Sequence, residues 1–166
     1  KDQQSYHQLK QNHISFLDPI LWIITIRPRI HFMAKDDLYK NWFLRWILPK
    51  LDVFTIKRGS ADMESLNTAV DIVKSNEILG IFPEGTRSKD FKPARAKSGG
   101  AVIAEAAKAD VLPVSIYSSD EMKKGTKLTI RFGEVIPYES LGINDESSRE
   151  EIKACAQNIM GEITKL

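Results

Sequence analysis

The chain has 166 residues, of which 42% are hydrophobic and 28% charged, with a formal net charge of +2. This balance fits one globular domain able to bury roughly 70% of its unfolded surface, and a single cysteine, Cys155, excludes an internal disulfide framework and points to a reducing compartment. No apolar run approaches the roughly 20 residues of a membrane-spanning helix, residues 20–26 being the longest candidate, and the basic residues form no stripe interleaved with aromatics, so nucleic acid is not an expected partner.

Residues 1–11 are polar, with neither an initiator Met nor a signal-peptide pattern, so the chain reads as a fragment of a longer protein. The segment 12–18, NHISFLD, follows. A neutral imidazole at His13 can take a proton from a hydroxyl, and the Asp18 carboxylate can fix its tautomer. Asp18 followed by Pro19 equally fits an N-cap with Pro at the first helical position. On a regular helix the two side chains would stand about 140° apart, so they meet only if residues 13–17 turn first. Ser15 and Pro19 favour such a turn, and both readings of Asp18 stay open. His7 and His31 read as solvated or structural.

Short apolar, β-rich runs at 30–33, 53–56, 78–82, 111–116 and 128–132 read as buried strands. Between the first two, Trp42, Phe43, Trp46, Ile47 and Leu48 stand among Lys40, Arg45 and Lys50. Aromatics beside cations suit a bilayer interface, although a core helix with snorkelling basic ends or the lining of an apolar groove has the same composition. Ser60 is placed to cap a helix whose apolar face is Met63, Leu66, Val70 and Val73.

The 78–82 strand leads into 82–88, FPEGTRS, which puts Glu84, Gly85, Thr86 and Arg87 in a loop past its carboxyl end, where open α/β sheets bind ligands. Gly85 allows close backbone approach, and the Arg87 guanidinium suits phosphate oxygens. The simpler reading is a plain turn with an exposed Arg. Arg87, Lys89, Lys92, Arg95 and Lys97 then form a basic run interrupted only by Asp90, either a solvated loop or an anion-facing one. Residues 1–60 carry ten Lys/Arg against five Asp/Glu, and residues 133–166 three against seven, so the amino-terminal part faces the anion.

An Ala-rich helix is expected over 101–109, and a last helix starting at Ser147 or Ser148 with a capping box to Glu150 or Glu151, burying Ile152, Cys155, Ile159 and Ile163. Alternating strands and helices without a linker predict a single α/β domain, with a mainly parallel central sheet flanked by helices. No Cys cluster or His pair has metal-ligand spacing, and the hydrolase elbow, P-loop and dinucleotide fingerprints are all unmatched.

Four blocks in order resemble the glycerolipid acyltransferases, most closely the bacterial 1-acylglycerol-3-phosphate acyltransferases. Asn12-His13 with Asp18 is similar to the family's His-x4-Asp motif, residues 53–59 (VFTIKRG) to its second block, FPEGTRS to its third and residues 111–114 (VLPV) to its fourth. Asp52 and Thr55 depart from the second block, and the polar residues 5–11 replace an expected strand before the motif. The resemblance implies that His13 is general base and Asp18 its orienter, and that Arg58, Glu84, Gly85, Thr86 and Arg87 bind the acceptor. It implies acyl transfer from a coenzyme A or acyl carrier protein thioester to the free hydroxyl of a lysophosphatidate-like acceptor, giving phosphatidate, with no resident cofactor or metal. Glycerol 3-phosphate, another lysophospholipid, or a non-catalytic phospholipid-binding role are the alternatives. Residues 12–166 would form the acyltransferase domain and 1–11 the remnant of a missing anchor. The expected location is the cytoplasmic face of a membrane, held peripherally or by a segment outside this chain.

Overall fold

β-branched and aromatic residues in short runs make the strands of this chain, and helix ends with defined caps connect them. A computed structural model describes residues 30–35, 53–56, 63–85, 95–118 and 128–166. They belong to two compact units, one within 19–81 and the other including 82–166.

In the first unit, β1 (Ile30–Lys35), β2 (Val53–Ile56) and β3 (Ile78–Gly80) form a parallel sheet in the order β2-β1-β3. Phe32 opposes Val53 on one side of β1 and Gly80 on the other. The glycine is required: a Cβ there would lie 2.4 Å from Phe32 Cε1 and 2.7 Å from Cδ1. Helix α1 (Met63–Lys74) crosses from β2 to β3 and lies against both. Its buried residues are Ser65, Ala69 and Val70, with Ala69 fully enclosed, whereas Met63 is 61% exposed. The expected face of Met63, Leu66, Val70 and Val73 is thus rotated toward smaller residues. Small side chains let a helix approach a sheet closely, and a pattern that counts only large apolar residues misses them.

Asn76, at φ 62°, ends α1. Its N–H donates to Val73 O and the Glu77 N–H to Ile72 O, a Schellman arrangement that turns the chain into β3. His31 Nε2 on β1 lies 2.5 Å from Glu77 Oε2 at the same corner.

The second unit contains α2 (Gly99–Ala107), β4 (Val114–Ser118), β5 (Leu128–Phe132), a 3₁₀ turn at Tyr138–Ser140 and α3 (Arg149–Lys165). β4 and β5 pair antiparallel, Ile116 opposite Ile130, so the parallel arrangement expected for the sheet holds for β1–β3 and not for this pair. The strand expected over 111–116 is broken. Val111 and Ile136 exchange both backbone hydrogen bonds, Pro113 has no N–H to continue the ladder, and β4 begins at Val114.

Helix α3 packs on α2 and β4. Ala101, Ala104, Ile152, Cys155, Ala156, Met160 and Ile163 form its core with Leu141, Ile143 and Ala96. Ile159, expected to be buried, is partly so at the margin. Ser148 caps α3: its hydroxyl accepts from the Glu151 N–H and Glu151 Oε2 accepts from the Ser148 N–H, as the spacing predicts. Ser60 and the aromatic group at 40–50 lie outside the described residues.

Candidate active site

The segment 82–85 shows how its sequence builds a turn. The Gly85 N–H donates to Phe82 O at 3.0 Å, with Pro83 second and Gly85 fourth, the residue pattern of a type I turn. Gly85 sits at φ +63°, where a side chain would be strained. Glu84 is only 2% exposed. A carboxylate at that depth needs compensating partners, so this is no plain solvent-facing turn.

A second segment is fixed against the turn. The Lys97 N–H donates to Pro83 O at 2.8 Å. Ala96 is buried in the core beneath α3, and its carbonyl accepts from Gln157 Nε2 at 2.9 Å. The Lys97 side chain then lies over Gly85, so that a Cβ on the glycine would meet Lys97 Cδ at 2.9 Å and both Cε and Nζ at 3.2 Å. The absence of a Cβ at Gly85 therefore has two uses: it permits the left-handed backbone and makes room for an ammonium.

Among the expected site residues, Glu84 and Gly85 are described and adjoin in this turn. His13, Asp18, Arg58, Thr86 and Arg87 lie outside the described residues. The sequence included Lys97 only as the end of a basic run and did not single out Ala96 or Gln157. Nothing local distinguishes Gln157, which reaches Ala96 across 61 residues.

The profile of the acyltransferase family matches residues 10–117. The chain belongs to the acyltransferase family. The matched stretch contains the described turn, Lys97 and all seven expected site residues. The acyltransferase is 30% identical over 158 residues to 1-acyl-sn-glycerol-3-phosphate acyltransferase of Bacillus subtilis, covering 93% of this chain and 77% of the relative. It is 27% identical to the enzyme of that name from Streptococcus pneumoniae, over 99% of this chain and 62% of the relative. The crystal structure of the 1-acyl-sn-glycerophosphate acyltransferase PlsC from Thermotoga maritima superposes with a TM-score of 0.65 at 28% identity, over 93% of this chain and 63% of that one. The acyltransferase thus has the α/β, glycerolipid acyltransferase-like fold expected of it.

Proposed function

We propose that the protein transfers a fatty acyl group from a thioester to the free hydroxyl of 1-acylglycerol 3-phosphate, giving phosphatidate for phospholipid synthesis. The turn at 82–85 carries this reading, because it combines a buried Glu84 with a left-handed Gly85 and an overlying Lys97 inside the family match. The names of the Bacillus and Streptococcus relatives support the acceptor.

His13 accepts the proton of the acceptor hydroxyl while Asp18 holds the imidazole and stabilises its charge. The oxygen attacks the thioester carbonyl, forming a C–O bond. Collapse of the tetrahedral intermediate breaks the C–S bond, and the proton held by His13 passes to the departing thiolate. No acyl-enzyme is required. Arg58 and Arg87 bind the phosphate of the acceptor, and Glu84, Gly85 and Thr86 complete the acceptor site. Charge-assisted hydrogen bonds favour the phosphate monoester over an uncharged glyceride. The donor is a coenzyme A or acyl carrier protein thioester, and the reaction takes place at the cytoplasmic face of a membrane. Among the described residues no helix is long and apolar enough to cross one.

The deciding experiment incubates the purified protein with acyl-CoA or acyl carrier protein thioester and a panel of acceptors, and identifies products by mass. Phosphatidate formed from 1-acylglycerol 3-phosphate is the expected result. His13→Ala should lower the rate by about 10²–10⁴-fold with the fold retained. An unchanged rate in a folded variant removes His13 from the mechanism.

A further inference from the structure

We propose that Lys97 is a specificity-determining residue for the phosphorylated acceptor and that Gln157, on α3, is the positioning residue that holds it at the Glu84–Gly85 turn. The inference rests on the acceptor reading above. It adds a cation outside the family blocks and a distant residue that controls it.

Three observations support it. The backbone of Lys97 is fixed from two sides, by its own N–H on Pro83 O and by Gln157 on the preceding carbonyl, with Ala96 anchored in the core. Its side chain does not extend away from the turn but runs back across Gly85, with the positions of Cε and Nζ both 3.2 Å from the missing Cβ. Among the described residues, lysine ion pairs join Lys108, Lys153 and Lys165 to carboxylates, and none involves Lys97. A cation with no carboxylate partner among the described residues, laid on the bare backbone of this turn, suits a phosphate monoester. An ammonium on a flexible stem gains selectivity only when its backbone is held, and the Gln157 bond provides that restraint.

The test is steady-state kinetics of the full chain with 1-acylglycerol 3-phosphate and with the corresponding monoacylglycerol, alongside thermal melts. Lys97→Met should raise KM for the phosphorylated acceptor about tenfold, the order of one charge-assisted hydrogen bond, with kcat and the thioester KM changed by less than about threefold. Preference for the phosphorylated over the uncharged acceptor should fall by the same factor, and Lys97→Arg should restore most of it. Gln157→Leu should shift the acceptor KM in the same direction, and the double variant should be no worse than Lys97→Met, since the two act through one contact. A purely structural Gln157 would lower the melting temperature and kcat without changing acceptor preference, and that outcome overturns its assignment. An unchanged acceptor KM in folded Lys97→Met, or an equal effect on both acceptors, overturns the role of Lys97. Failure of the parent protein to acylate 1-acylglycerol 3-phosphate with either donor would instead overturn the acceptor reading, so the two failures are distinguishable.

Discussion

At Gly80 one added methyl group would lie 2.4 Å from Phe32 Cε1, well inside contact distance, in the middle of the β1–β3 pairing. Gly80→Ala is therefore expected to cost about 1–3 kcal/mol, the range for overpacking a core, and Phe32→Leu in the same chain should recover part of the loss. Denaturant melts of the single and double variants measure both. Asp18 is a residue whose two readings separate by substitution. Asn caps a helix about as well as Asp, so Asp18→Asn leaves stability unchanged if capping is its only role, but it cannot stabilise a charged imidazole. The proposed mechanism predicts loss of rate with the melting temperature retained. A variant that keeps both would assign Asp18 to the helix alone.

Among the elements, α3 shows how far local rules reach. Its capping box was legible because Ser148 and Glu151 are three residues apart and need no distant partner. Glu151 accepts hydrogen bonds from the Ser148 backbone and side chain, which hold its carboxyl below the ordinary carboxylate range. A depressed folded value means that the contribution to stability is present above the unfolded value and is lost as pH falls through the folded one. Wild type should accordingly lose more stability on acidification than Glu151→Gln, which keeps a side-chain acceptor but cannot titrate, and melts from neutral to strongly acidic pH check this. Ser148→Ala should cost about 1 kcal/mol. The strand pattern was legible to a similar degree, since each expected run overlaps an observed strand. The lapse at 111–116 came from giving apolar content more weight than the missing N–H of Pro113. The face of α1 was misplaced because Ser65 and Ala69 are buried for their smallness, a property set by the sheet opposite.

Across the whole molecule, the Pro-Glu-Gly turn could be read from its residues, but the ammonium above it could not, since Lys97 is positioned through Ala96 in a core shared with α3. The antiparallel pairing of β4 with β5 is similarly a long-range choice among apolar runs that look alike. Cys155 is 3% exposed in that same core, and burial pushes its thiol above its usual range. Native protein should react slowly with thiol reagents, at a rate governed by opening of α3, and denatured protein quickly. Fast labelling without denaturant would contradict the burial. Cys155 stands two residues before Gln157 on one helix, and the chain has no other thiol. Because coupling free energies are reciprocal, a helix that steadies the acceptor turn must itself be steadied when the turn is occupied. The proposed Gln157 contact would make Cys155 an occupancy gauge: saturating 1-acylglycerol 3-phosphate, with no thioester present, should slow Cys155 modification in the parent and leave it unchanged in Gln157→Leu.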